Sequence, residues 1–260
     1  MASAQLKFAL VVAQSILAAA GVAMLAVSCG EAADNLQPGE IFKRAQEKYA
    51  SLMSYSDEGK SVGLFNGTTI TTSFAIRLAR PNLYRIKWEQ STVSTTSTTK
   101  SKPQAVWSAG DGDFLDMLGK GGQKQASQEM ALAGATGISA SASATIPGSF
   151  FKMNWGNQLG GLATDRKQQT GEKVGDVDCY VFSRDLNGAS NTLWIGKKDF
   201  LIRQVRNVMS AEVVKANMEA AAKRNPGMAL PRQKIEGISS TETHTNIVVN
   251  PTFTPPDFAP

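Results

Sequence analysis

Residues 70–88 read Ile-Thr-Thr-Ser-Phe-Ala-Ile-Arg-Leu-Ala-Arg-Pro-Asn-Leu-Tyr-Arg-Ile-Lys-Trp. Ile70, Thr72, Phe74, Ile76 and Leu78 share one parity, and Tyr84, Ile86 and Trp88 repeat the pattern after a break at Arg80-Pro81-Asn82. A repeat of two residues is that of half-buried strands. Proline has no ladder donor and a fixed φ, so Pro81 and Asn82 end the first strand. The result is an antiparallel pair with a continuous apolar, aromatic-rich face. Such a face must be covered, and by what is the functional question.

The start of the chain bears on location. A long apolar run, Phe8 to Cys29, follows the single charge Lys7, and Glu31, Asp34, Pro38 and Glu40 come directly after it. This is the layout of a secretory leader over residues 1–33. Its length is also near the ~20 residues a membrane-spanning helix needs. Three fates fit: cleavage near Gly30-Glu31-Ala32, lipidation of Cys29 in the lipobox-like Ala26-Val27-Ser28-Cys29, or a retained anchor. All three place the remainder in the periplasm or cell envelope.

Without the leader about 230 residues remain, enough for a single domain over 34–260. The net charge of +5 is spread along the chain without a basic block. Nucleic-acid binding, which wants clustered basic residues among stacking aromatics, is not expected. Weak attraction to an anionic envelope membrane surface is. Cys29 and Cys179 are the only cysteines, so the fold is expected to stand without a disulfide, with Cys179 a buried thiol.

A first helix is expected over Pro38–Met53, where Ile41, Phe42, Ala45, Tyr49 and Leu52 recur at helical spacing. Strands are expected at 57–65, 69–79, 82–90, 104–109, 112–117, 173–184, 190–196, 199–208 and 241–249. The threonine-rich 91–99 reads as an exposed edge strand. Many short strands with short turns argue for a mainly β (α+β) chain built on one antiparallel sheet. Two stretches interrupt it. Gln123–Ala133 reads as a helix running into the small-residue segment 134–144, and 210–240 reads as a helical insertion. The helices either complete the core, or the 123–151 segment is a lid over a cavity, its Gly, Ala and Ser content favouring mobility.

Several ordered motifs carry a resemblance. Arg80-Pro81-Asn82-Leu83-Tyr84 with Trp88, Val106-Trp107-Ser108-Ala109-Gly110-Asp111-Gly112, Leu193-Trp194-Ile195 with Leu201–Val205, and Asn250-Pro251-Thr252-Phe253-Thr254-Pro255-Pro256 together resemble the periplasmic lipoprotein-carrier (LolA/LolB-like) superfamily. Tyr49–Asp57 resembles the helix-to-strand entry of an uncharacterised branch of it. The resemblance implies an unclosed half-barrel of antiparallel strands, with helices covering its concave face and acyl chains held between. It implies that Arg80 ties a lid shut through backbone hydrogen bonds, and that Tyr84 stands near the cavity rim. Gly196, where an aspartate usually ends the strand pair, and the long 210–240 insertion depart from the pattern and put the transfer partners in doubt.

On this reading Phe74, Ile76, Leu78, Arg80, Tyr84, Ile86 and Trp88 form the ligand-binding set; on the plainer one the six apolar residues are ordinary sheet core. The expected partners are lipid acyl chains or lipoproteins, the expected state a monomer, and no cofactor or metal is called for. Catalysis gets little support, and an unrecognised enzyme stands as the third reading. His244 is the only histidine and reads as a surface or hydrogen-bonded strand residue. No Gly-x-Ser-x-Gly elbow and no Cys/His cluster of metal spacing occurs. A structural or regulatory envelope module without cargo is the second reading.

Overall fold

Helix α1 (Pro38–Ser51) starts where proline sits at its first position and Glu40 in its first turn, both suited to a helix N-terminus. It buries Ile41, Phe42, Ala45 and Tyr49 and leaves its Lys and Glu residues to water. The computed structural model describes residues 36–117, 119–160, 165–225 and 235–260. The leader expected over 1–33 with Cys29, and residues 226–234 of the expected insertion, lie outside the described residues.

The strands follow as β1 (Ser54–Phe65), β2 (Thr68–Ala79), β3 (Leu83–Val93), β4 (Thr98–Lys100), β5 (Gln104–Ser108), β6 (Asp113–Asp116) and β7 (Gln123–Gln125). After helices α2 (Gln128–Thr136) and α3 (Thr145–Phe150) come β8 (Lys167–Val174), β9 (Val177–Leu186), β10 (Ala189–Gly196) and β11 (Ile202–Met209). Helix α4 (Ala211–Arg224) and strand β12 (Ile238–Val249) complete them. Among the described residues they form one twelve-stranded sheet, in the order β7-β6-β5-β3-β2-β1-β12-β11-β10-β9-β8, with β4 beside β3. The pairings are antiparallel, and β1 against β12 joins the two halves of the chain. The sheet does not close on itself. It is an open half-barrel whose inner face carries α1, α2 and α3.

Register sets what the inner face presents. Phe74 lies opposite Trp88, Ile76 opposite Ile86 and Leu78 opposite Tyr84, so the alternation read in the sequence becomes three apolar rungs. Gly59 lies opposite Phe74. A Cβ there would collide with the Phe74 ring and the Thr243 carbonyl, so the close approach of β1, β2 and β12 requires glycine. On the outer face, Arg77 and Arg85 hold the final 3-10 turn, Pro255–Phe258. Arg77 Nη1 lies 3.1 Å from Asp257 Oδ1, and Arg85 donates to the Asp257 carbonyl at 2.9 Å.

Four expectations change. The helix expected over 123–133 is the short strand β7 followed by α2, which begins after Ser127 accepts the Met130 N–H as its cap. The small-residue segment after it turns and enters α3, fully buried from Thr145 to Phe150. The strand expected at 173–184 is two, β8 and β9, turning at Gly175 with φ +58. The edge strand expected over 91–99 is divided: β3 ends at Val93, and β4 returns only at Thr98.

Candidate functional site

Helices α2 and α3 and the chain to residue 151 form a cap over the inner face. Leu132, Ile146 and Phe150 of the cap join Ile41, Tyr49 and the β2–β3 rungs in one core. Contacts with the sheet include three polar ties. Arg80 donates from Nη2 to the Phe150 carbonyl at 2.7 Å and from Nε to the Leu52 carbonyl at 2.9 Å. Its guanidinium also stands 4.5 Å from the Phe150 ring centroid, close enough for a cation–π contact. Gln90 of β3 donates to the Ile138 carbonyl at 2.9 Å. Thr145, at the start of α3, donates to Glu242 Oε2 at 2.8 Å.

Ile76, Leu78, Tyr84 and Ile86 are wholly buried, and Phe74 and Trp88 nearly so. Arg80 stands at the end of their strand pair and reaches the cap. The structure thus brings together all seven residues named from the sequence, the six apolar ones within packed core and Arg80 half-buried beside them. Tyr84 donates to Asp113 Oδ1 at 2.7 Å, and burial, then that bond, raises its phenol well above the usual range. Trp88 Nε1 donates to Gln104 Oε1 at 2.6 Å.

Sequence reasoning missed a polar cluster on the same face. Glu242 and His244, two apart on β12, point inward beside Asp57 of β1. His244 Nδ1 lies 2.7 Å from Asp57 Oδ2 and Nε2 lies 3.2 Å from Glu242 Oε1. Tyr55 donates to Asp57 Oδ2 at 2.8 Å. The Phe74 ring packs 5.4 Å from the imidazole. His244 was expected at the surface or hydrogen-bonded in a strand; it is buried and hydrogen-bonded. The signal available was parity: Glu242 and His244 alternate as inward residues do, but with polar side chains.

Burial alone would pull the His244 imidazole down, yet Asp57 and Glu242 overcome it and push the value up to about 10. The folded value lies above the unfolded 6.5, so the folded chain holds this proton more tightly. The stabilisation is whole below about pH 6.5 and is lost as pH rises towards about 10. Urea unfolding at pH 6 and pH 9 checks this. The midpoint should fall at pH 9, and a His244→Gln variant should show a flatter dependence.

A groove of about 800 Å³ lies elsewhere, on the outer face. Its walls are outward residues such as Glu58, Lys60, Val62, Lys87 and Glu89, with Phe74 and Trp88 reaching it from behind. Cys179 is a buried thiol, held up at about 11 chiefly by burial. Among the described residues no group of three or more His, Cys, Asp or Glu is disposed to hold a metal ion. No helix among them is long and apolar enough to cross a membrane.

No protein-family model matches the sequence, and no curated protein matches it. Solved structures give distant likenesses. MucB is 12% identical with a TM-score of 0.43, over 86% of this chain and 62% of the MucB chain, so this chain spans less than two thirds of that relative. LprF from Mycobacterium bovis is 10% identical with a TM-score of 0.43, over 86% of this chain and 97% of the other. A DUF1329 family protein from Desulfovibrio piger ATCC 29098 is 9% identical with a TM-score of 0.32, over 86% and 98%. The functional reading rests on this chain's own geometry.

Proposed function

We propose that this chain is a non-enzymatic protein of the periplasm or cell envelope, acting as a monomer, that binds lipid acyl chains or lipoproteins against its inner sheet face, in the manner of a lipoprotein-sorting carrier. The observation that carries the reading is the cap: an apolar inner face with aromatic rungs lies under a small-residue segment tied at Arg80, Gln90 and Glu242. In this closed arrangement the protein's own side chains fill the interior. A cargo chain would replace Leu132, Ile146 and Phe150 as the cover of Ile76, Ile86 and Trp88.

The magnitudes permit the exchange. Burying an acyl chain gains about 0.8 kcal/mol per methylene, so a sixteen-carbon chain gains at most roughly 12 kcal/mol before ordering costs. Each neutral tie is worth about 1 kcal/mol and a charged one about 2 kcal/mol. The cap's own apolar contacts are lost but are substituted by the incoming chain. His244 supports a role without catalysis, since both its ring nitrogens face carboxylates beneath the cap.

A cargo-free envelope module is the alternative, favoured by the complete burial of Ile76, Leu78, Tyr84 and Ile86. Native mass spectrometry of the protein purified from envelopes, followed by hydrogen exchange with palmitate added, separates the two. The carrier reading expects a bound acyl species and faster exchange over residues 131–151. No bound species, together with unchanged exchange, would leave the module.

A further inference from the structure

Near the strand-tip end of the same face lies a charge arrangement that the cap does not use. Lys167 pairs with Ser183 across β8 and β9, so continuation of that register sets Arg166, just before β8, opposite Arg184. Arg184 is two residues beyond Phe182, which packs on Phe42 of α1 with ring centroids 4.6 Å apart. It therefore belongs to the inner side. The row continues through Asn191, opposite Arg184, and Asn207, opposite Asn191. One layer deeper, Phe182 faces Leu193 and Leu193 faces Val205, all buried. The inner face thus turns from apolar to polar and cationic towards the tips.

Arg166 is 7% exposed. Its Nη2 donates to Gln158 Oε1 at 2.9 Å, while its Nε and Nη1 are buried without a hydrogen-bond partner among the described residues, as is Nε of Arg184. Burial first and the neighbouring Arg184 charge second lower the Arg166 value to about 10. Among the described residues no carboxylate offsets either effect. A guanidinium does not give up its proton in practice. Like charges directly across a strand pair are destabilising, and a buried charge without a counter-ion is more so. Two guanidiniums side by side with spare donors fit a tetrahedral anion, whose oxygens accept several charge-assisted hydrogen bonds at once.

The geometry points to a phosphate-binding site formed by Arg166 and Arg184 at the polar end of the inner face, fit to take the phosphate of a phospholipid head group whose tails lie along the apolar part of that face. The lipid part rests on the acyl-binding reading; the anion part does not. Free phosphate offers the same chemistry, so the two sources must be told apart.

Calorimetric titration of the purified protein with inorganic phosphate, dioctanoyl phosphatidic acid and dioctanoylglycerol does so, because the two lipids share tails and differ in the phosphate. The expected result is tighter binding of the phosphatidic acid, by about tenfold, and loss of that preference in an Arg166→Gln/Arg184→Gln variant with dioctanoylglycerol binding unchanged. Removal of unpaired buried charge should leave the ion-free variant melting no lower than the wild type. Arg166→Lys, which keeps the charge and loses the fork, should weaken the preference and serves if the double variant does not fold. Phosphate binding without either lipid would keep the anion site and overturn the acyl reading. Equal affinity for the two lipids, with no response to phosphate, would overturn the site and leave acyl binding standing.

Discussion

Replacing Asp57 by alanine is expected to lower the stability of the folded chain by about 3–5 kcal/mol, the range found when one partner of a buried charged pair is removed. Asp57 and His244 side chains are both fully shielded from water. Asp57 Oδ2 takes the protons of two groups, Tyr55 Oη at 2.8 Å and His244 Nδ1 at 2.7 Å. Alanine would leave the tyrosine hydroxyl and the imidazole with no acceptor at that position. Asp57→Asn keeps the volume and one acceptor oxygen and should cost less. Urea midpoints of the three proteins at pH 6 test the order. Equal midpoints for the wild type and Asp57→Ala would show that the cluster contributes nothing to holding β1 against β12. The same physics allows the converse: replacing the whole cluster by apolar side chains of matched volume could be neutral or stabilising.

Arg80→Met should act locally before it acts globally. The substitution keeps an apolar stem and removes hydrogen bonds to the carbonyls of Tyr49, Leu52 and Phe150. Hydrogen bonds from a charged donor are worth about 1.5–3 kcal/mol each. Because the side chain is partly open to water, a total of roughly 3 kcal/mol is expected rather than the sum. The loss should fall on the join between the α1 end, the β2–β3 turn and α3. Hydrogen exchange should therefore rise over 145–151 well before the β1–β2 ladder is affected. A dye that fluoresces on apolar surface should bind more strongly as the inner face becomes accessible. Uniform loss of protection across the sheet would mean that Arg80 is a general brace and not a tie for the cap.

What the sequence made legible follows from which side chains its strands bury. On β2 and β3 the inward residues are Phe74, Ile76, Leu78, Tyr84, Ile86 and Trp88, so the period of two is plain and the register follows from it. Along β12 the inward residues include Glu242 and His244, and the aliphatic Val248 and Val249 are partly exposed, so apolar periodicity misreports the buried side. Strand β8, Lys-Gln-Gln-Thr-Gly-Glu-Lys-Val, is exposed almost throughout; it forms because β9 offers it a ladder, which no local pattern records. The Ala, Ser and Gly content of 134–144 leaves the sequence open between a mobile lid and helices that complete the core. Small residues can also come close, and Ser139 and Ser143 are buried and bonded to each other, with Ser143 also donating to the Leu132 carbonyl. Close approach and hydroxyl bonding order a segment that has no apolar stripe. Arg80 was legible through the motif around it, whereas Asp57, Gln90 and Thr145 have no signal until the strands are paired.

The two ends of the strand order are β7 and β8, and they do not meet. A closed cylinder of strands has its girth fixed by strand number and stagger, so it cannot widen without slipping registers throughout. Here the far margins are not tied to each other, so the width of the bore is not fixed by closure in that way. Such free margins invite a neighbouring chain to add on, yet β7 is three residues long and β8 is polar and carries a bulge between Gln169 and Glu172. Both are features that discourage edge-to-edge association at the two open margins.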